Sequence, residues 1–284
     1  MRLLVTLLSW LLATAALAIA VPAMWAQHYV IDRNGYTALA ASAAKDPELQ
    51  SAMAAELTTQ LVKLGAGTGF ETNEAVLHLG ARAYTASSAF PGQFALANQV
   101  AHRWLFTDAV GQSDESGRWT IDLAPMLADS SFQQTLTDFG IKAPDKLEVP
   151  LTENVSNSLR PGQLRPAAQW GPWVSVGSFV LAGVMALLTL VAARSRGKAV
   201  GALGVSALLV GAAGYAGIEV GSRRYVDHAL NDTSGNVRRI AEVMVDHMIS
   251  SMHLWLNLTL GAGGLLLVLG VIFALIGGLT RPPA

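Results

Sequence analysis

Four stretches of the chain are too long and too apolar for a water-soluble fold. A helix needs about 20 predominantly apolar residues to cross the bilayer hydrocarbon. Residues 3–26, 174–193 and 254–279 have that length without one charged side chain. Residues 199–220 carry a single charge, Glu219, near their end. Only structures that satisfy their backbone polar groups internally can span lipid, so each stretch predicts a transmembrane helix. The first also has features of a cleaved signal, with Arg2 ahead of it and Ala23-Met24-Trp25-Ala26 as a loose cleavage site. Its apolar run exceeds the about 7–15 residues of a signal peptide's apolar region, which favours a retained signal-anchor.

Composition agrees with spans plus one folded unit. Only 14% of the 284 residues are charged, against about 25% in soluble domains. A net charge of −1 gives no global attraction to nucleic acid, so none is expected as a partner. Cysteine is absent, which excludes disulfides, thiol catalysis and cysteine-bound zinc or iron–sulfur centres.

Charge sets the expected orientation. The loop at 194–198 holds Arg194, Arg196 and Lys198 and no acid. With both termini inside, the inner charges are these three with Arg2 and Arg281, and all 20 acidic residues fall outside or at the outer edge. The outer loop carries Arg223, Arg224, Arg238 and Arg239, which pulls against that orientation under the positive-inside rule. Trp25, Trp170, Trp173, Tyr225 and Trp255 all fall at one predicted interface, as aromatic anchors do, and favour it. The expected layout is therefore span 1 at 1–26, an extracytoplasmic domain at 27–170 and span 2 at 171–193. A cytoplasmic loop at 194–198, span 3 at 199–220, an outer segment at 221–253, span 4 at 254–279 and a tail at 280–284 complete it.

The outer domain reads as helical and then mixed. Asp46-Pro47 is a cap followed by proline at the first helical position. Leu49, Met53, Leu57, Leu61 and Leu64 then recur at helical spacing until Gly65-Ala66-Gly67 predicts a stop. Residues 71–87 and 91–110 predict two further helices, and 111–117 a surface loop. Apolar and polar residues alternate in 118–123 and nearly so in 146–151, which predicts two strands flanking a helix between Pro125 and Gly140. A polar linker over 154–165 leads back to the membrane. The expected fold class is a membrane all-α protein with four transmembrane helices and a mainly helical extracytoplasmic α+β domain.

In the outer segment Val237, Ile240, Met244, Met248 and Met252 form an apolar stripe on a juxtamembrane helix that runs into span 4. Such a stripe must cover either the 27–170 domain or the bilayer interface, and its residues are the candidate partner interface. Polar candidates are fewer. Glu219 is an acid inside a span, which by default marks function, but Arg223 one turn later predicts a salt bridge. His247 and His253, six apart, do not share a helix face as zinc ligands would. Asp246 and His253, seven apart, do share one. Asn98 and His102 lie one turn apart on a mostly apolar helix, where a packing hydrogen bond is the expected role. Gly214, Gly217 and Gly221 place small residues along span 3, which predicts close packing against a neighbouring span or another subunit. The sequons at Asn154, Asn231 and Asn257 have little weight, since the third lies inside a span. No phosphate loop, nucleophile elbow or metal signature is legible, so no cofactor is expected.

The chain resembles a group of uncharacterised integral membrane proteins of actinobacteria. The likeness lies in Asp32-Arg33-Asn34-Gly35-Tyr36, in Ala44-Lys45-Asp46-Pro47-Glu48-Leu49-Gln50, in Ala97-Asn98-Gln99-Val100-Ala101-His102 and in Ile121-Asp122-Leu123-Ala124-Pro125-Met126-Leu127. The resemblance implies one span, an outer domain and three closely spaced spans in a bacterial envelope, with no activity attached. The expected function is a non-enzymatic scaffold, assembly factor or accessory subunit. Its partners would be the lipid bilayer, a membrane or envelope protein, or a second copy of the chain. The alternative is a small transporter or channel component using spans 2 to 4.

Overall fold

The computed structural model describes residues 2–68, 73–107, 120–122, 148–150, 162–229 and 235–279. Helix α1 (Arg2–Ala26) passes into a π-helical turn at Gln27–Ile31. It is followed by α2 (Arg33–Ala43), α3 (Pro47–Thr68), α4 (Glu74–Thr85) and α5 (Phe90–Phe106). A strand pair, β1 (Thr120–Asp122) and β2 (Glu148–Pro150), precedes the long helices α6 (Arg165–Ala192), α7 (Arg196–Ala229) and α8 (Gly235–Leu279). The chain divides into two compact units. The first comprises Met1–Ile31, Ala168–Arg224 and Ile249–Ala284, and the second Asp32–Ala167 and Tyr225–Met248.

Four helices are long and apolar enough to cross a membrane, within Arg2–Ile31, Arg165–Ala192, Arg196–Gly221 and Gly235–Ile276. Their large apolar side chains point outward as well as inward. Leu4, Leu187, Val191, Leu265 and Phe273 are all exposed, and apolar side chains on every face of a helix mark hydrocarbon surroundings. The chain is a multi-pass membrane protein.

Lipid tails are as apolar as leucine, so spans must associate through close van der Waals packing and hydrogen bonds. Both occur in the first unit. Along α7, Gly197, Gly204, Gly211 and Gly214 face α8 so closely that an added methyl group would collide with Phe273–Ala274, with Gly263 and Leu267, with Leu260 and with Leu256 in turn. Gly263 and Gly270 answer from α8, against Gly204 and Gly201. Of the predicted stripe at Gly214, Gly217 and Gly221, the first residue packs within the chain. Gly217 and Gly221 meet nothing within 4 Å, and the seam runs from Gly214 back towards Gly197.

Helix α1 joins this pair by hydrogen bonds. The Trp10 indole donates to the Ala202 carbonyl at 3.0 Å, and Thr14 and Ser206 share a hydroxyl bond of 2.7 Å. Near its other end, Trp25 donates to Ser251 Oγ at 2.9 Å. Thr189 of α6 donates to Ser9 Oγ at 2.9 Å, and both residues are buried. Where α6 begins, Gly171 lies against Gln27 and Ile31 of the π-helical turn, leaving no room for a Cβ. Val21, Val210 and Leu256 form an apolar core beside these contacts.

The second unit is helical, which corrects the expected fold class. The two alternating segments do pair, antiparallel, with Ile121 opposite Val149. They yield only three residues each, and an isolated two-stranded ribbon is marginal in water. Among the described residues no α+β layer results, and the domain is built from packed helices. Asp46 caps α3 as expected, accepting from the Glu48 amide at 2.8 Å. Gly65-Ala66-Gly67 does not stop it, since the helix continues to Thr68; a helical glycine costs only about 1 kcal/mol. Helix α5 ends at Phe106, short of the expected 110. Helix α2 was not foreseen as a separate element. Asp32 caps it, its carboxylate accepting from the Gly35 amide at 2.8 Å. Leu39 and Ala40 of α2, Leu49 and Ala54 of α3, Leu77 and Tyr84 of α4 and Phe90 and Phe94 of α5 are buried. The predicted loop at 111–117, the helix between Pro125 and Gly140, the linker at 154–165 and the sequons at Asn154 and Asn231 fall largely or wholly outside the described residues.

Replacing Gly204 by leucine should force α7 and α8 apart and destabilise the protein by about 1–3 kcal/mol. Gly217→Leu, on the same helix but facing open space, should change stability by no more than about 0.5 kcal/mol. Thermal melts of the two detergent-purified variants check the difference.

Candidate functional site

The stripe on α8 is in use within the chain. Val243 and Met244 are buried, while Val237, Ile240 and Met248 are half-buried. All five belong to the unit that contains Asp32–Ala167, so the middle of the stripe is covered within that unit. Met252 belongs to the first unit and packs on its Val21–Val210–Leu256 core. On the polar side Arg238 pairs with Glu242 at 2.8 Å. Arg239 bridges Glu242, at 3.3 Å, and Glu48 at the start of α3. Arg239 thus ties this part of α8 to the start of α3.

Asn98 and His102 lie in a cluster that spans α2 and α5. Tyr36 donates to Asn98 Oδ1 at 3.2 Å, and the Asn98 amide donates to its own helix at Phe94 O, 2.9 Å away. The His102 ring contacts two others: Tyr36 is tilted against it at 5.1 Å, and Phe106 is stacked on it at 4.3 Å. His102 is only 6% exposed. Burial pushes the Tyr36 phenol above its ordinary value of 10.0, because the phenolate would lose its hydration. An imidazole in contact with two rings and nearly closed to solvent suits the packing of α2 on α5. Tyr36 was not singled out in the sequence, although the cap at Asp32 places it in the first turn of a helix with Leu39 and Ala40.

Glu219, Asp246 and His253 divide between the two units. Glu219 is exposed near the end of the apolar part of α7, and the side chain of Arg223, its expected partner, lies outside the described residues. Asp246 is exposed in the second unit. His253 belongs to the first, where it stacks on Tyr215 at 4.8 Å. The Tyr215 hydroxyl in turn donates to Asn257 Oδ1 at 2.6 Å. The group that forms is therefore Tyr215, His253 and Asn257, joining α7 to α8. Its sequence signal was the spacing of four between His253 and Asn257.

The other histidines take local partners. His247 Nδ1 lies 3.0 Å from the Val243 carbonyl and His78 Nδ1 lies 3.4 Å from Thr58 Oγ1, while His28 meets Tyr29 edge-on. Among the described residues, no three His, Asp or Glu side chains are placed to hold a metal ion. A surface that escaped the sequence reading is on α5. Leu96 and Val100, one turn apart, are 59% and 46% exposed, and Arg103 is exposed on the same side. At 100° per residue this face is opposite the one that buries Phe94 and His102. Compared with known protein families, curated proteins and solved structures, the chain has no match.

Met244→Asp should destabilise the protein by several kcal/mol or expel α8, because a carboxylate buried at that position would lose its hydration. Arg239→Ala should cost no more than about 1 kcal/mol, as exposed ion pairs contribute little. Chemical denaturation of the two variants distinguishes these outcomes.

The raised Tyr36 pKa gives a pH dependence. An unfolded phenol loses its proton near 10 and the folded one only above that. The stability this provides is full below pH 10 and is lost as pH rises towards the folded value. Melting temperature should therefore fall more steeply above pH 10 in the wild type than in Tyr36→Phe, which should start about 0.5–1.5 kcal/mol less stable for want of the Asn98 bond.

Proposed function

We propose that the chain is a non-enzymatic membrane protein of a bacterial envelope. It works as a scaffold, assembly factor or accessory subunit, and its helical unit lies outside the cytoplasm. The observation that carries this reading is the exposed Leu96–Val100 face with Arg103 beside it, on a helix outside the spans. Interface cores favour apolar side chains and arginine and disfavour lysine and acids. The α8 stripe, with Met244 already covered, is the weaker docking surface. The resemblance to actinobacterial membrane proteins supports the envelope location.

A charge argument supports the orientation. The 194–198 loop offers three cations, and Arg238 and Arg239 on the other side are engaged by Glu242 and Glu48. Trp170 and Trp173, at the start of α6, are exposed, as interfacial anchors should be. Trp25 lies near the other end of α1 from Trp10, in the turns before the Gln27–Ile31 segment that meets Gly171. The transport reading has less support, because the hydroxyls of Ser9, Thr14, Thr189 and Ser206 are spent on bonds between helices.

Two experiments test the proposal. Cysteine at Lys45 should react with an impermeant reagent in intact cells, and cysteine at Ser195 only after lysis; the reverse pattern would invert the topology. Pull-down of the native protein in mild detergent should recover a stoichiometric partner, with Leu96→Asp/Val100→Asp losing it by tenfold or more while melting as the wild type. Retention of the partner by that variant would remove α5 from the interface.

A further inference from the structure

A cavity of about 520 Å³ opens among the four spans, and its walls come from all of them. Small residues make the hollow: Ala13 and Ala20 of α1, Ala182 and Gly183 of α6, Ala207 of α7 and Ala262 of α8. Its walls also include Ser206, Thr259 and Trp255. The two hydroxyls are already used, Ser206 with Thr14 and the Ala202 carbonyl, and Thr259 with the Trp255 carbonyl at 2.9 Å.

From this cavity we infer a binding site for one acyl chain of a membrane phospholipid. Three observations select that occupant. Water needs about 2–4 polar partners to occupy a cavity, and walls of alanine, leucine and satisfied hydroxyls do not supply them. A partner's transmembrane helix is too large, since one turn, about 10–12 Å across and 5.4 Å long, already fills roughly 400–600 Å³. An acyl chain has about the volume on offer and is the solvent of these helices. The volume also falls inside the roughly 300–1,000 Å³ typical of small-ligand sites.

Gly183 gives a direct test. It lines the cavity, and a Cβ built there meets nothing within 4 Å, so Gly183→Leu should fill the hollow without moving a helix. Gly177, on the same helix and equally open, is absent from the walls, so Gly177→Leu is the matched control. The full-length protein, purified in mild detergent, would be incubated with a phosphatidylcholine carrying a diazirine in one acyl chain, washed, irradiated and mapped by peptide mass. The wild type and Gly177→Leu should carry adducts concentrated on Met24, Leu258 and Leu266. Gly183→Leu should lose them at least fivefold. Ala186→Phe, filling the same wall from the next turn, should reproduce that loss and guards against a fold defect peculiar to one variant. Adducts undiminished in both filled variants, or spread evenly over the outer faces of the wild type, would overturn the site. So would native mass spectrometry showing a tightly held non-lipid molecule in the purified protein.

Discussion

The close approach of α7 and α8 is the contact on which the rest of the membrane unit depends. In hydrocarbon, burying a leucine against another helix gains little over leaving it in lipid, so helices must come near enough for their backbones to touch. Gly197, Gly204 and Gly211 on one side and Gly263 and Gly270 on the other make that possible. Once the pair is set, the Ala202 carbonyl and Ser206 are presented to α1, and Ser9 of α1 then holds Thr189 of α6. The seam, the bonds of α1 to α7 and the bond of Thr189 to Ser9 thus link the four spans in turn.

The helical unit is held by a different balance. Its core is an ordinary apolar one around Leu49, Phe90 and Phe94, but polar groups are set into it. Tyr84 donates to Gln93 within the core, and Tyr36 reaches Asn98. Inside a low-dielectric core such groups are tolerated because each finds a partner, and they select one arrangement of the helices over others that would bury the same apolar area. Arg239, by contrast, joins α8 to α3 at the surface, where water weakens the attraction.

How much of this could be read in the sequence follows from which forces are local. Span positions were legible because a long apolar run has few alternatives, and the passage of the juxtamembrane helix into span 4 because its stripe keeps one period throughout. The Asp46 cap was legible since capping involves neighbours in the chain. The α+β domain was misread because alternation over six residues meets the same local rule whether a strand pair belongs to a larger sheet or sits beside a helical core. Small residues in span 3 announced close packing, but the face that packs depends on where α8 lies, and so the seam fell at Gly197 to Gly214 instead of reaching Gly221. Tyr215 and Leu96 escaped for the same reason. A stacking partner or an uncovered face is a relation between elements, and no local pattern records it.

The sequence distances in the polar contacts of α1 bear on how the protein is made. Ser9 finds Thr189 180 residues later in the chain, and Trp10 and Thr14 find Ala202 and Ser206 192 residues later. When α1 enters the bilayer during synthesis, none of these partners has yet been translated. The hydroxyls can wait, since Ser9 and Thr14 also donate to the Thr6 and Trp10 carbonyls of their own helix. The Trp10 indole has no such shelter in the bonds it makes, and its N–H must be served by lipid headgroups, water or insertion machinery until α7 arrives. Biogenesis therefore has a built-in interval in which the first helix is inserted but incomplete, and it closes only when the third span has left the ribosome.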